Sequence, residues 1–568
     1  MTAERAVRVI TEVGAVDRPF DYNLSDSTAN VAVGDRVRVD FNHRSVRAWV
    51  VAEASPSDDF KSITKWLGYG PPPSLLDLLT WASVRWYSPL SRFLISTSPN
   101  RLVTSLPDAP RAPELDQSVR EGARVLDPGV WHVSPTTDPL ALILGAYDST
   151  RELPGSLLVL VPTESWATRL RGRLEQRGVP VASSEQWDRM RAGWPVVVGA
   201  RGAALAPVPR VAGVVLVDAD DEAFQSEAAP TWDAFTLVRE RCRRDDAPWW
   251  ATSMIPSPTL VKDSLVATLD DVVAGWPRVR VVDRRQSDPR DGVLSREALD
   301  AAHRALAGNN PVAVAVVLQR LGTGRLFVCR KCGELARCAQ CDMAEEEVGD
   351  QLACRDRHEL RANFCRVCGA TNLKRVRVGV TTLASDVAAQ LSQPVSEVTA
   401  ASDPGAVLSR VVVGTEAIWQ RVRRCGVVIF VDFDQYLLAP RESARRSAVI
   451  AVGKAGRLVG SRREGNGEVV IQTRRGNDLV VRALESGDVS ELVREDNETA
   501  ALLGMPPYGA LAEVSGPGAE AFVAQLREPV SVHATAEGFE VRANAVDELI
   551  SALRAVTRPA EKVRVAVH

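Results

Sequence analysis

Seven of the chain's nine cysteines fall between positions 329 and 368, and no other feature restricts the fold as much. They are Cys329, Cys332, Cys338, Cys341, Cys354, Cys365 and Cys368. Three C-x-x-C pairs stand among them: Cys329/Cys332, Cys338/Cys341 and Cys365/Cys368. Each pair presents two thiolates to one ion, and a tetrahedral structural site is built from two such halves. Two sites take eight ligands. His358, four residues after Cys354, is the natural eighth, because a C-x-x-x-H half-site is sterically acceptable. The alternative for His358 is a surface histidine in an Arg-rich loop, with one site three-coordinate or lost. Arg357, where a fourth C-x-x-C would place its second thiol, cannot bind metal. Zinc is the expected metal, two ions in all, although thiolates also hold iron–sulfur clusters. Disulfides would need an oxidising compartment. The N-terminus MTAERAVRVITEV lacks the basic–apolar–small pattern of a secretory signal, so a cytoplasmic location is expected.

A chain of 568 residues is too long for one core, and three to five domains are expected. No run of about eighteen apolar residues occurs, so no membrane span is expected. The formal net charge is −3. Any nucleic-acid surface must therefore be local. Candidates are Arg421, Arg423 and Arg424, the stretch from Arg441 to Arg463, and the cations among the cysteines (Arg330, Lys331, Arg337, Arg355, Arg361, Arg366). Each is also what an ordinary solvated face looks like.

The first hundred residues read as mostly β, with period-two alternation in VRVITEV, VGDRVRVDF and VRAWVVAEA. A helix follows in SLLDLLTWASVRWY. From Leu140 short apolar runs (LALIL, SLLVLVP, WPVVVGA, GVVLVDAD) alternate with helical segments, the pattern of a parallel sheet covered on both faces. The pattern resumes at PVAVAVVL, halts for the cysteines, and continues in RVVVG, GVVIFVDFD and GEVVIQT. The expected division is a β-rich domain over 1–105, a linker over 106–137, one α/β lobe over 138–275, and a second over 276–325 and 373–485. A metal module at 326–372 interrupts the second lobe, and a small α+β domain closes the chain at 486–568.

This order of parts resembles the bacterial replication-restart PriA family, also called primosomal protein N′. Phe20-Asp21-Tyr22, the strand Val33–Val39, the cysteine string and Pro506-Pro507-Tyr508 carry the resemblance. So do helicase remnants in the right order: Gly199–Ala203, Asp218–Asp221, Phe224-Gln225, Val413-Gly414-Thr415, Asp432-Phe433-Asp434 and Gly453–Arg457. The resemblance implies a multidomain α/β fold with two RecA-like parallel-sheet lobes and a double zinc module. It implies nested metal pairing, Cys329, Cys332, Cys365 and Cys368 outside, Cys338, Cys341, Cys354 and His358 inside. It also implies that Phe20 stacks on, and Asp21 hydrogen-bonds, a 3′-terminal nucleotide, an arrangement that suits the end of a single strand. Implied partners are forked or single-stranded DNA, primosome and replicative-helicase-loading proteins, and single-strand-binding protein. Asn42 stands where the family often has Gly.

The departures concern ATP. A phosphate cradle needs G-x-x-x-x-G-K-[ST] between strand and helix. After LALIL stands Gly145-Ala146-Tyr147-Asp148-Ser149-Thr150-Arg151, with no Lys and no second Gly. Ala219 replaces the Glu that polarises water, and Asp220, one position on in a strand, would face the other way. Gly414-Thr415-Glu416-Ala417 replaces Gly-Thr-Gln-Met, and Lys454 replaces one of two arginines, leaving Arg457. No G-K-[ST] occurs in the chain. The family's winged-helix domain has no counterpart, since about thirty residues are too few to fold one. The expectation is a DNA-binding restart factor with a degenerate helicase body and no catalytic residues. The alternatives are an active ATP-dependent 3′→5′ helicase and a zinc-bearing protein adaptor.

Overall fold

The computed structural model describes residues 5–13, 18–226, 228–262, 266–269, 271–285, 292–319, 327–349, 351–354, 358–375, 379–403, 405–439, 443–465, 467–535 and 537–568. Arg355, Arg357 and Arg441 lie outside them. The chain divides into two units, residues 1–130, 138–252 and 500–568 in one, 131–137 and 253–499 in the other.

The first unit opens with a five-stranded antiparallel sheet, in the order Phe20–Asn23, Ala6–Thr11, Arg44–Ala54, Arg36–Phe41, Lys65–Trp66. Its alternation is that of the sequence: Val7, Val9, Val37, Val39, Ala48 and Val50 form the buried face. The hairpin between Arg36–Phe41 and Arg44–Ala54 turns through Asn42 and His43, with φ of 49° and 61°. Two consecutive left-handed residues match the strands' twist, and Asn tolerates that region without a glycine. Helix Pro73–Arg85 follows. Five strands of the next sheet run parallel, in the order Trp249–Ser253, Val211–Leu216, Ser156–Leu160, Val196–Gly199, Val181–Ser183. The C-terminal sheet is antiparallel, in the order Ser531–Thr535, Gly538–Ala543, Ala510–Ser515, Arg564–Val567, with helix Val546–Ala555 burying Leu549, Ile550 and Leu553.

The second unit holds six parallel strands, in the order Arg278–Asp283, Glu468–Thr473, Val427–Phe430, Val314–Val317, Val411–Gly414, Val395–Val398. The four central strands are buried on both faces, which is why they read as unbroken apolar runs. The cysteine module leaves this lobe on Phe327–Cys329 and returns on Leu373–Arg375, and those two segments pair antiparallel. Entry and exit are thus clipped together, so the insertion does not disturb the sheet it interrupts.

Two expectations are corrected. Leu140–Thr150, whose first half reads as a strand, is a helix. A short strand, Gly129–His132, lies in the stretch read as linker. Among the described residues no helix is long and apolar enough to cross a membrane.

Candidate metal centres and nucleic-acid interface

Six of the eight candidate metal ligands sit on three turns of one design. After Cys329 the amide of Gly333 donates to the Cys329 carbonyl, and after Cys365 the amide of Gly369 donates to the Cys365 carbonyl. After Cys338 the amide of Asp342 does the same. All three residues have positive φ: 74° at Gly333, 69° at Gly369 and 57° at Asp342. The left-handed residue after the second cysteine folds the pair back, so both sulfurs face one point. In two of the turns an amide also points at the first sulfur, Lys331 N to Cys329 Sγ and Gln340 N to Cys338 Sγ, each at 3.4 Å.

Two clusters result. In one, Cys329 and Cys368 sulfurs lie 3.5 Å apart, and those of Cys332 and Cys365 3.6 Å. In the other, His358 Nδ1 lies 3.8 Å from the Cys338 sulfur and 3.5 Å from that of Cys354, with Cys341 completing the set. Within each cluster every ligand atom lies within 4.8 Å of every other. Tetrahedral zinc with Zn–S of about 2.3 Å needs sulfurs about 3.7 Å apart, so the donor sets fit such an ion. Both clusters can hold a metal ion. Burial opposes ionisation of Cys338, but the amides of Cys341 and Gln340, with His358, outweigh it and bring the thiol down to about 7. Cys341 in the same cluster is pushed the other way, up to about 12, by burial and by the neighbouring Cys338 and Cys354, so the pair gives up one proton readily and resists losing the second.

An ion pair absent from the sequence reading braces this module. The Arg361 guanidinium donates through Nε to both oxygens of Glu345, at 2.8 and 2.9 Å, and again through Nη2. Both side chains are buried, at 5% and 1% exposure. Arg361 also donates to the carbonyls of Ala362 and Phe364, and Arg366 approaches Glu345 at 3.5 Å. Strand Glu345–Val348, which begins just after Cys341, is thereby tied to the segment carrying Cys365. Arg337 pairs with Asp342 and Glu334, and Arg366 with Glu359. Of the described cations read as interleaved with the cysteines, Arg330 and Lys331 are exposed and have no carboxylate partner among the described residues.

Outside the module Arg423 and Arg424 are exposed, whereas several other basic candidates are engaged by the protein. Arg421 donates to the carbonyls of Asp403 and Ala406. Arg445 and Arg446 pair with Glu495 and Asp496, and Arg463 with Asp271. Arg462 caps the carbonyls at Leu484, Glu485 and Ser486.

Phe20 and Asp21 lie in the edge strand of the N-terminal sheet, opposite Val9 and Arg8. Their side chains leave opposite faces, as strand alternation requires. Phe20 packs at the margin of the core, edge-on to Phe41 at 4.9 Å, with the Arg18 guanidinium 5.0 Å from its ring centre. Asp21 accepts two bonds from Arg8, at 2.8 and 3.0 Å. That hydrogen bond holds its carboxyl below the usual range.

The segments that resemble helicase motifs fall in both units. Gly145 lies buried within a helix, and the Arg124 carbonyl oxygen stands 2.0 Å from where a Cβ would be. The strand–loop–helix unit is instead Gly129–His132, residues 133–139 and Leu140–Thr150. Its loop reads Val133-Ser134-Pro135-Thr136-Thr137-Asp138-Pro139, again without Gly or Lys. Within the second unit this loop is packed by protein. Thr136 Oγ1 donates to the Gly275 carbonyl at 2.8 Å, and Arg457 Nε donates to the Pro135 carbonyl at 2.8 Å. The Ser134 hydroxyl sits 2.1 Å from where Gly275 would carry a Cβ. Asp218 is buried with φ of 56°, its amide donating to Thr252 Oγ1 at 3.1 Å. Ala219 beside it is buried, and Asp220 lies in a turn, so strand alternation does not decide its direction as expected. In the second lobe Asp434 accepts from the Thr473 hydroxyl and the Arg474 amide. Burial and the neighbouring Asp434 push the Asp432 carboxyl up to about 6.

The profile of the PriA 3′DNA-binding domain (3′BD) matches residues 8–99. The chain is 25% identical over 400 residues to the replication restart protein PriA of Thermotoga maritima, covering 64% of this chain and 53% of that protein. It is 26% identical over 349 residues to the protein of the same name from Treponema pallidum, covering 55% and 50%. The chain thus aligns with about half the length of these relatives. Among solved structures, S. cerevisiae Dbp5 bound to RNA and ADP BeF3 aligns with a TM-score of 0.38 at 11% identity, covering 75% of this chain and 98% of that one.

Proposed function

The chain is a PriA-type protein, and on that premise we propose that it is a DNA-binding replication-restart factor without ATPase activity. It recognises stalled forks or single-stranded DNA and supports reloading of the replicative helicase. One observation carries the reading: a match to the 3′DNA-binding domain sits in a chain with no G-K-[ST] sequence, whose loop at 133–139 is filled by protein hydrogen bonds. A γ-phosphate has no lysine to meet there, and Ala219 offers no base to polarise water. Such groups each contribute on the order of 2–5 kcal/mol to a barrier, so their joint loss removes useful turnover.

In this reading the domains divide as the sequence suggests, with the two lobes a scaffold for the DNA-binding and metal modules. Zinc occupies both clusters, with Cys329, Cys332, Cys365 and Cys368 holding one ion and Cys338, Cys341, Cys354 and His358 the other. The ions hold the module folded and supply no chemistry to a substrate. Phe20 stacks on the terminal base and Asp21 accepts from the 3′ hydroxyl. Because their strand is a sheet edge, a nucleotide crossing that edge reaches both faces, and a carboxylate bound by one guanidinium retains acceptor capacity. Primosome proteins, helicase loaders and single-strand-binding protein are the partners, in the cytoplasm.

The test is binding to forks whose 3′ end is free or blocked. Phe20→Ala should weaken binding to the free-ended fork more than to the blocked one. Equal loss on both would make Phe20 structural.

A further inference from the structure

The N-terminal sheet carries a row of three cations that its own chemistry does not explain. Arg47, Arg38 and Lys65 are direct cross-strand partners on three adjacent strands. They share the face opposite the apolar one formed by Val37, Val39 and Ala48. Like charges placed directly opposite each other on a sheet destabilise it, so two such pairs in sequence are a cost the fold carries. Three other cations of this domain are matched with acids, Arg5 with Glu53, Arg8 with Asp21 and Lys61 with Asp40, each within 3.0 Å, while Arg44 stands exposed at the hairpin end with no carboxylate partner among the described residues. In the row, Arg47 has Glu12 at 2.7 Å. Arg38 and Lys65 are exposed and have no carboxylate partner among the described residues.

The rest of this face is finished differently. Arg36 and Trp49, also cross-strand partners, are buried by the domain's own chain. Trp49 Nε1 donates to Ser98 Oγ at 2.7 Å, and Arg36 Nη1 donates to the Pro99 carbonyl at 2.8 Å. The chain therefore covers and satisfies one part of the face and leaves the cationic part open. The row spans two inter-strand spacings, about 10 Å. That is long enough for consecutive phosphates of one nucleic-acid strand, whose density of negative charge no small anion matches.

We infer that Arg38 and Lys65, flanked by Arg47, form a phosphate track for a DNA strand on the face of the sheet opposite Phe20. The track rests on the DNA-binding reading above and adds a second, sequence-independent contact to it. It positions the strand and reads no base.

The test measures affinity of the full chain for a fork and for a single strand across a salt series. The variant is Arg38→Gln/Lys65→Gln, with Arg38→Lys as the charge-preserving control. Each phosphate contact contributes about 0.7–0.9 to the slope of log affinity against log salt. The double variant should lower that slope by about 1.4–1.8 and weaken binding roughly tenfold at low salt, equally for free and blocked 3′ ends. Arg38→Lys should keep the parental slope. Both positions are exposed and the replacements remove like-charge contacts, so thermal melting should stay the same or rise slightly. If the parent binds DNA and the double variant keeps its slope, the track is wrong and the DNA-binding reading stands. If the parent binds no DNA at any salt, both fall together.

Discussion

Replacing Glu345 by Gln would leave the Arg361 guanidinium buried, at 5% exposure, facing a neutral amide. The pair is worth little net relative to two apolar residues, because desolvating both charges offsets most of their attraction. Removing one partner is another matter, since it strands a buried charge, typically at about 3–5 kcal/mol. Arg361 keeps its bonds to the carbonyls of Ala362 and Phe364, which places the effect toward the lower end. In a small metal module folding and metal binding are one equilibrium, so the penalty appears as lost metal affinity. At 1.4 kcal/mol per tenfold, Glu345→Gln should weaken zinc binding about a hundred- to a few-thousandfold. Competition between the zinc-loaded chain and a chromophoric chelator reads this directly. The double replacement Glu345→Leu/Arg361→Met should recover most of the loss. Zinc affinity of Glu345→Gln within threefold of the parent would refute the assignment of this pair as the module's brace.

Metal analysis should give two zinc ions per chain, and His358→Ala should lower the count or the affinity at one site only; one ion in the parent would remove the inner site. The Arg8 hydrogen bond and charge hold the Asp21 carboxyl below its ordinary value, so the pair's contribution is complete above about pH 4 and is lost as pH falls through the lowered value. Asp21→Asn should therefore cost up to about 1 kcal/mol at pH 7 and nothing near pH 2, read by denaturant melts at the two pH values. Asp432 has the opposite sign. Its carboxyl is raised to about 6 by burial and Asp434, so stability falls as pH rises from about 4 to about 6, and Asp432→Asn should stabilise the chain at pH 8 but not at pH 4.

The two cysteine clusters were legible because cysteine spacing encodes a local turn. Even the exception, Asp342 where the other turns have Gly333 and Gly369, leaves the spacing intact. The central strands were legible because burial on both faces leaves only apolar residues. The same property misled at Leu140–Gly145, since a short unbroken apolar run in a buried helix has no period to distinguish it from a strand. The true strand, Gly129–His132, has a buried valine and little else to mark it. Pairings set by register were not legible. Arg361 finds Glu345 sixteen residues away, Asp21 finds Arg8 across a strand pair, and Arg38 meets Arg47 and Lys65 only once three strands are aligned. In sequence each is one more charge among many.

The central claim is a DNA-binding chain whose helicase body does not turn over ATP. Its most direct test is ATP hydrolysis by the purified full chain, with and without forked DNA at a concentration shown by gel shift to be bound. The account predicts a stable fork complex and no hydrolysis above background in either case. DNA-stimulated hydrolysis well above background, abolished by Asp218→Asn, would contradict it and make the chain an active helicase.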